Sequence, residues 1–508
     1  MKKTVFLLMI LTLASRLLGL GREITLSYFY GASNLSDAYL ISLTIPTVIL
    51  GFIASGLTTG YIPIYRQLEA TGGSTKKFTN QVINLVLLLC GFILILGTFF
   101  TPQLVKVFAS GFDSAALDMT IQLTRITLFG VFFTGTAHIL TGYLQVQEKY
   151  LATALVGIPF NVVIISFIVI SYQRGLNYLA IGSVFASASQ TLFLYVLSRK
   201  QGFVYRFQLH LKDRQVRQMI YLAFPVIIGT SVEQINRLVD KTLASQITVG
   251  GVSALAYAYR IMSAVQGIFI VSVLTVMYPH ISKMAAEKNM IGMKKAVSEA
   301  IIGVSLFVVP AVVGVMVLAE PIVALLYGRG AFSEEAVTLT ARILFFCIFA
   351  MFGHGIQDIL ARVFYALQDS KTPMFNATLA LGLNIVLNII LASVMGISGL
   401  ALATSLSAIT AMLLMWRSLH KKIGVLKLKE IYKAFYKIVA ASMVMGLVSR
   451  LCFHCLAVVI NSNLALILAI GVGGSTYLIL ILLMKIEAVE SVLNSLLNSI
   501  RKGVTKQK

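Results

Sequence analysis

Charge is what this chain has least of. Only 12% of its 508 residues are Asp, Glu, Lys or Arg, about half the ~25% of an ordinary soluble domain. Acidic residues are the rarer sign, 19 against 41 basic ones. Such a composition cannot cover a compact fold with a water-compatible surface, which excludes a soluble globular enzyme. Long polar stretches are also missing. The longest, Arg199–Arg217 and Arg417–Lys437, are loop-sized, too short for a soluble domain. Cysteine is scarce: Cys90, Cys347, Cys452 and Cys455, all in apolar runs. That excludes a disulfide scaffold. The Cys452-x-x-Cys455 pair, with His454 inside it, lacks a second ligand pair and reads as thiols on an apolar helix face rather than a metal or redox site. No Walker-type phosphate loop is present, which argues against ATP hydrolysis, and the His and Cys residues form no catalytic cluster.

What is present is apolar sequence, 58% of the chain. Runs of roughly 20 residues recur from end to end, each long enough to cross ~30 Å of hydrocarbon as a helix. Lipid satisfies no free backbone N–H or C=O, so these runs must be helices. The expected fold is an all-α membrane protein with about fourteen spans. They fall near residues 4–21, 34–62, 80–100, 119–143, 152–172, 178–198, 218–245, 253–279, 298–318, 337–362, 374–394, 398–416, 438–459 and 464–484. The opening Met1-Lys-Lys followed by Val5-Phe-Leu-Leu-Met-Ile-Leu imitates a signal peptide. An uncleaved first span is favoured, because removing it spoils the charge alternation.

A net charge of +22 invites a nucleic-acid reading, but its distribution points elsewhere. With a cytoplasmic amino terminus, the inner segments hold most of the basic residues. They include Lys2, Lys3, Arg66, Lys76, Lys77, Lys149, Arg199, Lys200, Arg206, Lys212, Arg214 and Arg217. They continue with Lys283, Lys288, Lys294, Lys295, Lys371, Arg417, Lys421, Lys422, Lys427, Lys429, Lys433, Lys437, Lys485, Arg501, Lys502, Lys506 and Lys508. Only Lys106, Arg174 and Arg329 fall clearly in outer loops. This is the positive-inside rule. It requires an even span count and places both termini inside; the partners it implies are membrane lipids, including anionic ones, not nucleic acid.

The chain is also duplicated, with a period of about 220 residues. Leu144-Gln-Val-Gln-Glu-Lys149 returns as Tyr365-Ala-Leu-Gln-Asp-Ser370, and Pro159-Phe-Asn-Val-Val-Ile164 as Gly382-Leu-Asn-Ile-Val-Leu387. Spans 1–6 therefore correspond to spans 7–12. Six is even, so the halves share an orientation and are related by an axis along the membrane normal, as in transporters built from parallel repeats. The expected organisation is an N-lobe over 1–210, a C-lobe over 211–425, and two further spans with a basic cytoplasmic tail over 426–508.

Charges inside spans are costly, about 2.5–3.5 kcal/mol each at a helix centre, and they mark cavities or partners. Arg16 lies too deep in span 1 to reach the surface and points to a cavity. Arg22 can snorkel outward or share that cavity if Gly19 and Gly21 let the helix bend, since six residues place the two arginines ~240° apart. Arg260 in span 8 is either a structural partner of Asp37 or Glu23, or a cation that an anionic substrate neutralises. Glu233, Arg237, Asp240 and Lys241 share one face of span 7, and His354, Asp358 and Arg362 form a stripe on span 10; both can pair internally. Basic residues predominate across the spans, which suits a phosphate-bearing ligand.

At these residues the chain resembles the MurJ (MviN) lipid II flippase family of the multidrug/oligosaccharidyl-lipid/polysaccharide exporter superfamily. The matching stretches are Ser15-Arg-Leu-Leu-Gly-Leu-Gly-Arg22, Gly31-Ala-Ser-Asn-Leu-Ser-Asp-Ala38, Val252-Ser-Ala-Leu-Ala-Tyr-Ala-Tyr-Arg260, Gly328-Arg-Gly-Ala-Phe332, Ala361-Arg-Val-Phe-Tyr-Ala-Leu-Gln-Asp-Ser-Lys-Thr-Pro373 and Gly399-Leu-Ala-Leu-Ala-Thr-Ser405. They run through essentially the whole chain. The resemblance implies a transporter rather than an enzyme, resident in the bacterial inner membrane and acting in peptidoglycan biosynthesis. Its substrate would be a polyprenyl-diphosphate-linked glycopeptide, moved from the inner to the outer leaflet by alternating access. It implies two six-helix lobes, a cationic cavity with substrate contacts at Arg16, Arg22, Asp37 and Arg260, and a tail groove formed by spans 13 and 14. Some members hold a sodium ion, and the similar positions here are Asp240, Asn384, Asn388 and Thr404. Two departures stand out: Asn388 replaces an expected carboxylate, and span 2 reads Val48-Ile-Leu-Gly-Phe-Ile-Ala-Ser-Gly56 without the charges many members carry there. Carriage of another polyprenyl-linked glycan, or cation-coupled drug export, remain the alternatives; drug export would favour an acidic cavity.

Overall fold

The structure is a computed structural model that describes residues 2–208, 210, 213–424 and 428–484. Its side chains are described outside positions 2–10, 53–55, 225, 226, 228, 229, 232, 268, 271, 272, 275, 276 and 428. Lys212, Lys427, Lys485, Arg501, Lys502, Lys506 and Lys508, and the tail from 485 onward, lie outside the described residues. So do the side chains of Lys2 and Lys3, the signal-like start, and the 53–55 portion of the uncharged span 2 stretch.

All the described secondary structure is helical. The first half runs α1 (Lys2–Tyr30), α2 (Asn34–Ala70), α3 (Thr75–Phe99), α4 (Thr101–Phe108), α5 (Ser114–Thr127), α6 (Gly130–Val146), α7 (Tyr150–Leu155), α8 (Gly157–Arg174) and α9 (Asn177–Lys200). The second runs α10 (Arg214–Ile247), α11 (Gly251–Ala286), α12 (Met290–Val317), α13 (Ala319–Tyr327), α14 (Glu334–Cys347), α15 (Ala350–Ala366), α16 (Lys371–Met395) and α17 (Ile397–Ile423). α18 (Leu428–Ala457) and α19 (Ser462–Leu483) follow.

Among the described residues, ten helices or joined helices are long and apolar enough to cross a membrane, eleven with the bent pair α5–α6. α1, α10 and α11 fall outside that count, yet they have 29, 34 and 36 residues, ample length at 1.5 Å per residue. With them the total is consistent with the fourteen or so spans read from the sequence. They are also the spans that carry Arg16, Arg22, Asp240, Lys241 and Arg260.

The duplication is visible in the backbone. The order of long and short helices recurs, down to α4 and α13 with 8 and 9 residues and the broken spans α5–α6 and α14–α15. Each break is a tight turn in which N–H groups bond three residues back: Phe129 N to Ile126 O, and Met351 N to Ile348 O. The first bends the span by 45°, so span 4 is two helices rather than the single one expected from its hydropathy. After α6 and α15 the helix ends alike. Lys149 N donates to Leu144 O and Asp369 N to Phe364 O, both at 2.9 Å, with Glu148 and Gln368 left-handed at φ 58. This is the 6→1 helix-ending bond. It pairs Leu144 with Phe364, one residue off the register suggested by the side chains, because the backbone turn and not the Gln147–Gln368 match sets the repeat.

The chain divides into two compact units, the first comprising Met1–Arg260, Tyr327–Ala336 and Asn388–Leu400. Its core gathers Tyr61, Tyr65, Phe78, Tyr143 and Phe203. The Tyr61 and Phe78 rings stack at 5.5 Å, and Tyr61 Oη lies 2.7 Å from Thr79 Oγ1. On α3, Asn80 and Asn84 sit one turn apart and are almost fully buried. They hold the extended segment that leaves α9. Asn80 donates to Val204 O at 3.0 Å and accepts from Arg206 N at 3.1 Å. Asn84 donates to Gln208 O at 2.9 Å and accepts from Tyr205 Oη at 2.6 Å.

The second unit comprises Ile261–Leu326, Val337–Leu387 and Ala401–Lys508. In it α12 packs against α15 and α18, and α18 against α19. Tyr477 Oη on α19 donates to Leu306 O on α12 at 2.8 Å. Met443, Leu447 and Leu451 of α18, and Ile467, Ile470 and Leu478 of α19, are exposed. Apolar surface of this extent belongs in lipid.

Candidate functional site

The site is built on α1, which packs against α7 and α8. The approach is close enough that a Cβ at Gly157 would stand 2.1 Å from Ser15 Oγ, so only glycine fits there. Beside this contact lies an open cleft of about 390 Å³, lined by Thr12, Ser15 and Arg16 of α1 together with Tyr150, Thr153 and Gly157. Thr12 and Arg16 share a helix face by their i, i+4 spacing. Arg16 is exposed, and among the described residues it has neither an ion-pair nor a hydrogen-bond partner.

The other two arginines are held. Glu23 is 7% exposed. Its Oε1 accepts from Arg22 Nη2 at 2.6 Å and from Arg260 Nη2 at 3.4 Å. One carboxylate thus bridges two guanidiniums and leaves one net positive charge. Arg22 also lies over the Phe160 ring of α8 at 5.8 Å. Of the two roles the sequence left open for Arg260, the structure shows the ion-pair partner, and the partner is Glu23 rather than Asp37. The pairing leaves the Arg260 side chain 35% exposed.

Asp37, 1% exposed, sits elsewhere in the network. Its Oδ1 accepts from Ser253 N at 2.7 Å, the third backbone amide of α11, and so caps that helix from another element. Nearby, the Gly328–Phe332 stretch folds back on the end of α1: Ala331 N donates to Tyr28 O at 2.9 Å. Gly31 and Gly330 make this possible. Both have positive φ, and a Cβ on either would meet backbone oxygen at 2.3 and 2.2 Å. Tyr257, Tyr327 and Phe332 cluster over the junction.

Of the four positions considered for sodium, Asp240 and Asn388 meet: Asn388 Nδ2 donates to Asp240 Oδ1 at 2.6 Å. Asn384 and Thr404 belong to the second compact unit. A sodium ion needs oxygen ligands, and in this arrangement Asn388 turns its nitrogen, not its oxygen, toward the carboxylate. On α10 Arg237 pairs with Glu233 at 2.6 Å, as the spacing suggested. On α15 Arg362 lies over the Tyr278 ring at 5.3 Å and makes no close ion pair with Asp358 among the described residues, although its charge still acts on that carboxylate.

Sequence reasoning named Arg16 and Arg260 but missed Tyr150 and Thr153, which start a six-residue helix with no periodic signal of its own. The hydroxyls of Thr12 and Ser15, within one turn of Arg16, were the available clue.

The family model described as lipid II flippase MurJ matches residues 26–469. The chain belongs to the MurJ family. Among curated relatives of the family, a "Probable lipid II flippase MurJ" of Thermotoga maritima is 28% identical over 95% of this chain and 96% of its own. A protein of the same description from Treponema pallidum is 26% identical over 82% of each chain. A solved structure, "Lipid II flippase MurJ, inward closed conformation", matches with a TM-score of 0.82 at 28% identity, over 94% of this chain and 98% of that one. An inward-facing multidrug transporter of the MATE family matches with a TM-score of 0.67 at 17% identity, over 82% of this chain and 99% of that one, a likeness of fold alone. Membership accounts for a multi-pass membrane transporter rather than an enzyme, and it makes sense of the motifs around Arg22, Asp37, Arg260 and Gly330, which are the network just described.

Proposed function

We propose that the chain moves lipid II, a polyprenyl-diphosphate-linked glycopeptide, from the inner to the outer leaflet of the bacterial cytoplasmic membrane. Both termini face the cytoplasm in this reading, as the basic loops favour. The single observation that carries it is Arg16: a guanidinium in an apolar span, exposed to a cleft and unmatched by any carboxylate among the described residues.

The physical problem is the head group. A diphosphate with its sugars and peptide cannot enter hydrocarbon, where each unsatisfied polar group costs several kcal/mol, whereas the polyprenyl tail is at home there. A protein cavity open sideways lets the head travel while the tail stays in lipid. Arg16 contacts the diphosphate first. Arg22 and Arg260, drawn together by Glu23, supply a second positive station further along α1. Six residues separate Arg16 from Arg22, a rise of ~9 Å, so the head can pass between stations without losing its countercharge. Alternating access follows from rocking of the two repeated halves, 1–210 and 211–425, with α18 and α19 guiding the tail. Asp37 acts by holding the start of α11, and hence Arg260, in place. Sodium at Asp240 and Asn388 would require the Asn388 amide to present its oxygen, and no step here depends on it.

The test is lipid II translocation in a cell depleted of its own lipid II flippase. The wild-type chain should restore translocation, and Arg16→Ala and Arg260→Ala should each reduce it at least tenfold at equal membrane abundance. Restoration by both variants at wild-type rate would end this reading.

A further inference from the structure

The cleft at Arg16 offers more than charge. Among the described residues the hydroxyls of Thr12 and Ser15 and the phenol of Tyr150 have no hydrogen-bond partner, and Tyr150 is half exposed. Thr153 Oγ1 spends its proton on Tyr150 O at 2.8 Å but keeps lone pairs to accept with. Ala154 and Val156 add apolar lining. About 390 Å³ is small-ligand sized, too little for a whole glycopeptide head and enough for one ring. A pyranose ring has matching chemistry, with hydroxyl and amide groups around its rim and an apolar C–H face that an aromatic ring such as Tyr150 can cover.

We propose that this cleft is a subsite for the first sugar of the diphosphate-linked glycan, with Arg16 on the adjoining phosphate and Ser15, Tyr150 and Thr153 hydrogen-bonding the ring. The proposal rests on the flippase reading above and adds to it a selection step. Tyr150 directly follows Lys149, which the proposed orientation puts on the cytoplasmic side, so the subsite lies in the inner half of the path. It distinguishes a sugar-bearing carrier from the bare polyprenyl diphosphate before either begins to cross. Hydrogen-bonding groups left unpaired by the bare carrier are what make such discrimination effective.

The experiment uses the purified full chain in lipid nanodiscs and three probes: polyprenyl diphosphate, polyprenyl diphosphate bearing one sugar, and phosphatidylglycerol as competitor. The wild type should bind the one-sugar carrier about tenfold more tightly than the bare one. A Ser15→Ala, Tyr150→Phe, Thr153→Val triple variant should bind both alike, with its affinity for the bare carrier within about twofold of wild type. Arg16→Ala should weaken both. Tyr150→Phe alone, which removes one oxygen and disturbs no packing, reads the same preference should the triple variant not fold. A variant set that keeps the wild-type preference overturns the subsite. Equal displacement of both carriers by phosphatidylglycerol overturns it too, because it marks an ordinary phospholipid site. Translocation of lipid II by the wild type, measured in parallel, reports on the flippase reading separately.

Discussion

Arg16 and Glu23 lie seven residues apart on one helix, yet their removal should act on different quantities. Arg16 is exposed and has no partner among the described residues, so Arg16→Ala leaves folding alone. The expected outcome is an unchanged thermal midpoint in detergent together with a ten- to hundredfold loss of translocation, the scale of a lost charge-assisted bond to phosphate. Glu23 is the reverse case. Glu23→Ala leaves two guanidiniums facing each other with no carboxylate between them. Breaking a buried pair costs about 3–5 kcal/mol, and solvent reaching the arginines, 21% and 35% exposed, screens this to about 1–3 kcal/mol. A drop in thermal midpoint should therefore accompany the loss of transport. Asp37 separates the two kinds of effect within one side chain. Asp37→Asn keeps an oxygen for Ser253 N–H and should retain stability, whereas Asp37→Ala should lose about 1 kcal/mol, the usual cost of an N-cap. The sequence exposed these residues because ionised groups in apolar runs are conspicuous. It did not show which were paired: Arg260 meets Glu23 across 237 positions, a distance no local spacing encodes.

Among the elements, the segment after α9 shows how a loop can be as ordered as a helix. Val204, Arg206 and Gln208 present alternating backbone groups to the two α3 asparagines, and Phe203 is 1% exposed. Asn80→Leu with Asn84→Leu removes these bonds and strands the Arg206 amide. The segment should then lift from α3, and trypsin should cut after Arg206 about tenfold faster than in wild type, since cleavage follows the population of the opened form. A second tie has a pH signature. Lys422 of α17 donates to Asp369 in the turn between α15 and α16, and Thr372 adds two bonds at 3.1 and 2.9 Å. The lysine, chiefly, and then these bonds pull the Asp369 carboxyl down to about 2. Because the folded value is depressed, the stabilisation is complete above the ordinary carboxylate range and disappears as pH falls toward 2. The gap in thermal midpoint between wild type and Asp369→Asn should be open at pH 6 and close on acidification; a constant gap would contradict the assignment. Helix existence was legible from apolar run length, and the repeat from scattered motifs. The break at Phe129 and the Asn80–Asn84 clasp were not: the first is a backbone turn inside an unbroken apolar run, and the second recognises backbone, which leaves no trace in side-chain pattern.

For the molecule as a whole, the membrane potential asks how much charge actually crosses. The proposed orientation, with the basic loops inside, sets the sign of the electrical work. A diphosphate leaving a negative interior gains about 2.3 kcal/mol per charge per 100 mV, so two charges moving freely would gain about twice that. Positive groups that move with the head subtract from it. The Glu23 cluster contributes one net positive charge and Arg16 another, so a head accompanied by both would cross almost unassisted. Collapsing the potential with an ionophore at constant pH should therefore slow translocation by wild-type protein, but by less than two full charges would give. In Arg16→Gln vesicles the absolute rate should fall while its dependence on potential steepens by up to one charge, because a countercharge no longer accompanies the phosphate. Equal slopes for the two proteins would mean that Arg16 stays fixed in the field while the head passes it, and rates indifferent to the potential in both would mean that the head crosses with its charge fully matched.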